Sequence, residues 1–167
     1  PMWLVSQAGG EEQTIRHGLA NQLAQQLGDD PVSAPVAAAF EARGGHGFVQ
    51  VAGRSTDQFV HDGQITKSPV RAMTLAALAP RRGECLWDLG AGSGSVSVEW
   101  CLAGGRAVCV EQHAARVAGI EQNAERYAVP LQVVHGDSLT LLDKLGPPPQ
   151  AVFVGGGFDL NLFNALR

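Results

Sequence analysis

Glycines at 90, 92 and 94, in the run Cys85-Leu86-Trp87-Asp88-Leu89-Gly90-Ala91-Gly92-Ser93-Gly94-Ser95, let a backbone come close to a ligand. An apolar stretch ends in an aspartate, breaks into alternating glycines and resumes as Val96-Ser97-Val98-Glu99-Trp100, which reads as strand, tight loop and helix. Glycine has no Cβ and takes positive φ readily, and a helix starting near Ser95 presents free N–H groups. The third glycine falls one residue earlier than in the dinucleotide fingerprint Gly-x-Gly-x-x-Gly, so the loop by itself also fits a plain structural turn.

Three features downstream bear on that choice. The run Ala107-Val108-Cys109-Val110-Glu111 ends in an acid 23 residues after Asp88, where a fold of this kind puts the carboxylate that accepts both ribose hydroxyls. A solvated acid at a helix start is the plainer reading of Glu111. His135-Gly136-Asp137-Ser138 brings a second carboxylate to the same sheet edge, where an adenine amino group could be read, although Asp137 or Ser138 also suits a helix N-cap. Finally, Ala151-Val152-Phe153-Val154 runs into Gly155-Gly156-Gly157-Phe158, bare backbone against which a bulky ligand can lie. An acid at each of three strand ends with two glycine loops points to an adenosine-bearing ligand.

The elements that must position these residues alternate. Strands are expected at 85–88, 106–111, 131–135 and 150–154, and helices at 95–103, 114–127, 138–145 and 159–167. The strands are continuous apolar runs, as in a parallel α/β sheet covered by helices on both faces. A sheet of four strands leaves an exposed edge, which calls for cover by another chain or for strands beyond Arg167. Ahead of them, Ser68 as N-cap and Pro69 open a helix that Pro80 and Gly83 close. In the first 55 residues, Ile15, Leu19, Leu23 and Leu27 at i+4 steps predict a helix over 11–28 stopped by Gly28, and Pro35 predicts another over 34–43 ended by Gly44-Gly45. Phe48-Val49-Gln50-Val51 reads as a short strand. The polar Arg54-Ser55-Thr56-Asp57 marks a linker, dividing an N-terminal segment 1–55 from a main domain 56–167.

With 167 residues, 45% of them hydrophobic and 17% charged, the chain can bury a real core. It has no apolar run of membrane-spanning length and no basic-then-apolar start, which makes a cytoplasmic protein the default. A net charge of −4 and no basic cluster beyond Arg81-Arg82 leave no electrostatic footprint for nucleic acid. Cys85, Cys101 and Cys109 fit neither a zinc site nor a disulfide framework and read as buried thiols.

The segment His61-Asp62-Gly63-Gln64-Ile65-Thr66-Lys67, then Val70-Arg71-Ala72, Leu86-Trp87-Asp88 and Ser93-Gly94-Ser95-Val96-Ser97-Val98-Glu99, resembles the decarboxylating precorrin-6 methyltransferases of cobalamin biosynthesis over residues 59–165. That resemblance implies a Rossmann-like class I methyltransferase whose last strands are absent here. It implies S-adenosylmethionine held by Asp88, Gly90, Ala91, Gly92, Ser93, Gly94, Ser95, Glu111, Gly136, Asp137, Gly155 and Gly156. Thr66 and Lys67 are then expected to close over the methionine end, and His61, Lys67, Arg71 and Gly157 to meet a tetrapyrrole, the cations through its carboxylates. Solvated surface charge is the plainer reading of those cations. The implied reaction methylates a meso carbon and releases CO2 from an acetate side chain, without a metal. A homo-oligomer is expected, and residues 1–50 fit the tail of a fused second tetrapyrrole methyltransferase domain.

Other readings use the same pocket. A methyltransferase acting on a nucleobase or protein amine would want an Asn/Asp-Pro-Pro-aromatic motif in place of Gly155-Gly156-Gly157-Phe158. A nicotinamide oxidoreductase would use Glu111 but fits the glycine spacing and Asp137 less well. A non-catalytic cofactor-binding module is the alternative from another class.

Overall fold

The computed structural model describes residues 1–27, 32–41 and 51–167, and its chain divides into two compact units, Pro1–Phe48 and Val49–Arg167. In the first, β1 (Met2–Ser6) pairs antiparallel with β2 (Thr14–Gly18) on one side and β3 (Ala37–Phe40) on the other, and α1 (Ala20–Leu27) follows β2. Both helices expected here need correction. Residues 14–18 form a strand because they pair with β1, where Trp3 stacks on His17 with ring centroids 4.6 Å apart. The i+4 leucine pattern is real only from Leu23 onward, and Leu23 is the buried residue of α1. Around Val36 the alanines follow β1 rather than their helix propensity, since a ladder to a distant strand outweighs a weak local preference. Gly28, residues 42–45 and residues 48–50 of the expected short strand lie outside the described residues, and Val51 sits in a bend.

The second unit follows the alternation expected of it. Its elements are α2 (Ser68–Leu78), β4 (Cys85–Leu89), α3 (Ser95–Leu102), β5 (Arg106–Glu111), α4 (Ala114–Tyr127), β6 (Leu131–His135), α5 (Ser138–Leu141), β7 (Ala151–Val154) and α6 (Leu160–Ala165). The strands are all parallel in the order β6-β5-β4-β7, so successive strands step outward one way from β4 and the chain then returns to its other side. Ligands bind such sheets at the carboxyl ends of the strands where the order reverses. The residues expected as one helix over 138–145 form α5 and then a 3-10 turn at Leu142–Lys144.

Side-chain alternation along β4 splits the core into two layers. Trp87 and Leu89 pack with Val110, Leu142, Leu145 and Leu162, while Leu86 packs with Leu75, Val96, Trp100 and Cys101 of α2 and α3. The helix α3 is buried at every residue from Ser95 to Cys101, which is why its sequence has no polar stripe. Leu86, Leu89, Val98, Val110 and Ile120 are fully buried, each contributing about 1.5–3 kcal/mol by leaving water. Cys101 and Cys109 are buried thiols, and burial pushes Cys101 up to about 12.

Ser68 does not cap α2. Lys67 holds that position, and the Ser68 hydroxyl donates instead to the Gly53 carbonyl at 2.5 Å. At the other end α2 stops at Ala79 and α4 at Ala128, both left-handed with φ of 49° and 50°. A side chain at such a cap is strained, so Ala79→Gly and Ala128→Gly are each expected to raise stability by about 1 kcal/mol, read as the shift in a urea midpoint.

Candidate active site

Each strand of the central sheet hands its last residue to the same rim. The amides of Gly90 and Ala91 donate to Val110 O at 2.9 and 3.0 Å, Gly136 N donates to Glu111 O at 2.9 Å, and Gly155 N donates to Leu89 O at 2.9 Å. The loops after β4, β6 and β7 are thereby tied to neighbouring strands and, with the loop after β5, enclose a cavity of about 430 Å³. Gly90, Gly92 and Gly94 have φ of 73°, 60° and 68°, the left-handed turn that alternating glycines allow. A Cβ built on Gly155 would lie 2.7 Å from Gly90 O, so two glycine loops pass backbone to backbone. A Cβ on Gly156 or Gly157 would meet nothing within 4 Å, which leaves their faces open to a ligand.

Glu111 is 3% exposed and works inward as well as outward. One carboxylate oxygen accepts from Gly92 N and the other from His113 N, both at 2.9 Å, so the acid couples the β4 loop to the β5 loop. Each oxygen keeps lone-pair capacity for a second donor. Asp137 caps α5, its Oδ1 accepting from Thr140 N at 3.0 Å, and it also lines the cavity.

Of the residues expected at a site, the cavity gathers Thr66, Gly90, Ala91, Gly92, Glu111, Gly136, Asp137, Gly155, Gly156 and Gly157. Asp88, Gly94 and Ser95 are buried outside its lining, and Ser93 is buried against a second, smaller cavity. Lys67 is exposed at the start of α2, outside the lining, and His61 opens on that second cavity of about 210 Å³, which shares Gly92 and Arg116 with the first. Arg71 is a correction. Its guanidinium is wholly buried, paired with Glu99 at 2.8 Å and bonded to the carbonyls of Thr66 and Arg54, and it cannot reach a substrate carboxylate from there.

The cavity also uses residues given no site role from the sequence: Gln64, Ile65, Gln112, Arg116, Ser138, Leu139, Phe153, Asp159 and Leu162. Arg116, in the first turn of α4, pairs with Asp62 at 2.7 Å and holds that carboxyl below the usual range through this hydrogen bond. Position could have flagged two of them, since Gln112 follows the strand-end acid and Arg116 stands in the first turn of the next helix.

Asp88 has a separate role under the loop. It is 1% exposed, Ser97 Oγ donates to its Oδ2 at 2.7 Å, and its Oδ1 finds no partner among the described residues. Burial raises it from 3.8 to about 6, with Glu111 adding repulsion and Ser97 opposing. The folded chain therefore binds this proton more tightly than the unfolded one, and Asp88's contribution to stability falls as pH rises from about 4 through 6. In Asp88→Asn that decline is expected to disappear from urea midpoints measured across the same range; an unchanged slope would assign it to other groups.

A four-stranded parallel sheet with a reversal of order at β4, a glycine loop after the central strand and acids at the next two strand ends defines a Rossmann-like class I methyltransferase domain. The family model described as a precorrin methyltransferase domain matches residues 57–166, about two-thirds of the chain, and the chain belongs to that family. It is 52% identical over 109 residues to a precorrin-6Y C(5,15)-methyltransferase (decarboxylating) of Sinorhizobium sp, a match covering 64% of this chain and 26% of that protein. It is 39% identical over 98 residues to a probable cobalt-precorrin-6B C(15)-methyltransferase (decarboxylating) of Pyrobaculum calidifontis, covering 56% and 50%. Among solved structures, the C-terminal domain of precorrin-6Y C5,15-methyltransferase from Rhodobacter capsulatus superposes with a TM-score of 0.69 at 55% identity, covering 71% of this chain and 65% of that one. The chain thus spans between a quarter and a half of the curated relatives it matches.

Proposed function

We propose that this domain transfers a methyl group from S-adenosylmethionine to a meso carbon of a precorrin-6 type tetrapyrrole, coupled to loss of CO2 from an acetate side chain. The observation that carries the cofactor is Glu111, a buried strand-end carboxylate on the cavity wall with one hydrogen-bond site per oxygen still available to a ribose diol. The residues present fit that cofactor: the open faces of Gly156 and Gly157 leave room for its bulk, and the second oxygen of Asp137, without a partner among the described residues, can accept from an adenine amino group. When bound, the cofactor supplies a methyl group activated by an adjacent sulfonium.

The chain's contribution is positional. Holding two reactants about 3–3.5 Å apart in line accounts for a large part of such a rate enhancement, and an electron-rich ring carbon needs no strong general base. Thr66 and its neighbours Gln64 and Ile65 form the cavity wall from the α2 side, and we assign the exposed Lys67 that follows them to a substrate carboxylate. The tetrapyrrole comes to this chain from the family it belongs to and from the names its relatives carry. The matched region makes up about a quarter of one relative and half of another, which supports a domain that also occurs fused to a second precorrin methyltransferase. On that reading, residues 1–50 are the tail of such a partner domain.

Calorimetric titration with S-adenosylhomocysteine tests the cofactor assignment. Saturable one-to-one binding is expected. Its absence in a folded sample would remove every methyltransferase reading of the cavity.

A further inference from the structure

Residues 64–66 form one wall of the cavity, within a segment 60–67 that no helix or strand holds until α2 begins at Ser68. Its backbone is fixed by side chains from other elements. Asn123 of α4 pincers Val60, accepting from its N–H at 2.8 Å and donating to its carbonyl at 3.0 Å. At the other end, the hydrogen bond that anchors Thr66 among the described residues comes from Arg71, whose guanidinium donates to the Thr66 carbonyl. Between these points the segment rides on the glycine loop, where a Cβ at Gly92 would lie 3.1 Å from the Gln64 carbonyl oxygen.

Arg71 is itself fully determined. Glu99 Oε1 takes its Nε at 2.8 Å, a second guanidinium nitrogen reaches the Arg54 carbonyl, and the Phe59 ring lies 4.7 Å below the charge. Glu99 in turn accepts from the amides of Gly53 at 2.6 Å and Arg54 at 2.9 Å. Such a pair, 0% and 2% exposed at the side chain, is a poor source of net stability, because desolvating two charges costs about what their attraction returns. What it does provide is geometry. A planar fork with fixed donor directions sets a backbone oxygen to a definite place, which an ammonium on a flexible stem does not.

We infer that Arg71, oriented by Glu99, is a positioning residue that fixes the Thr66 carbonyl and with it the 64–66 wall against the glycine loop, so that the cavity is preformed for its cofactor. This rests on the cofactor reading above. The pair touches neither cofactor nor substrate and acts only through the wall.

The test compares wild type with Arg71→Lys, which keeps the buried charge pair but loses the fork, and with the neutral pair Arg71→Met/Glu99→Gln. Thermal midpoints, S-adenosylhomocysteine titrations and amide hydrogen exchange are measured on each. At least one variant is expected to fold with a midpoint near wild type, to bind about tenfold more weakly and to exchange faster at residues 64–66 while the sheet stays protected. Affinity within twofold of wild type in a folded variant would overturn the inference. So would an affinity loss that tracks the midpoint without selective exchange at 64–66, or a failure of both variants to fold, which would make the pair purely structural. Should the wild type not bind, the cofactor reading falls by itself, and the exchange pattern at 64–66 still decides whether Arg71 sets the wall.

Discussion

Replacing Glu111 by alanine is expected to weaken S-adenosylhomocysteine binding by a factor of about 100 or more, since hydrogen bonds to a charged group are worth about 1.5–3 kcal/mol each and two ribose hydroxyls lose theirs. Part of the loss is indirect. Gly92 N and His113 N both donate to this carboxylate, and without it the two loops are no longer coupled. Glu111→Gln separates the effects, because the amide keeps one acceptor for a loop N–H but gives up the charge. Its affinity is expected to fall about tenfold with a smaller change in thermal midpoint. Calorimetry reads both, and unchanged dissociation constants in the two variants would take Glu111 out of the site.

The glycines after β7 give the second large effect, and they differ from one another. In Gly155→Ala the new methyl would sit 2.7 Å from Gly90 O, a backbone atom that cannot rotate away, so the two loops must part. Forced overpacking costs about 1–3 kcal/mol, and the cavity rim itself would shift, so both stability and cofactor affinity are expected to drop. Gly156→Ala meets nothing within 4 Å in the protein and is not at positive φ. Its thermal midpoint is expected to stay at the wild-type value while affinity falls at least tenfold, because the methyl takes room the ligand needs. If Gly156→Ala binds as wild type does, the open face beside β7 is not where the cofactor lies.

The central sheet was legible because its signals are local and mutually consistent. The expected bounds of the strands at 106–111 and 131–135 and of the helix at 114–127 coincide with β5, β6 and α4, where apolar runs of strand length alternate with a 3.6-residue period. Glu111 could be placed because the end of a parallel strand is a fixed point on the sheet edge. The N-terminal unit was misread for the opposite reason. Residue 18 pairs with residue 2 and residue 40 with the same Met2, and a window of a dozen residues holds no trace of either partner. Arg71 was expected at the substrate's carboxylates because a lone arginine in sequence reads as a solvent-accessible charge, whereas its partner Glu99 lies 28 residues on, inside a helix buried on all sides. Arg116 and Asp159 reach the cavity from the starts of helices, a placement that depends on how each helix leaves its strand.

The most direct test of the function is anaerobic incubation of the domain with methyl-labelled S-adenosylmethionine and a precorrin-6 type substrate, followed by mass analysis of the tetrapyrrole. The expected product carries one labelled methyl group at a meso carbon and has lost one CO2, and Glu111→Ala forms it far more slowly. A domain that binds S-adenosylhomocysteine yet returns the tetrapyrrole unlabelled and with all its carboxyl groups would contradict the assignment.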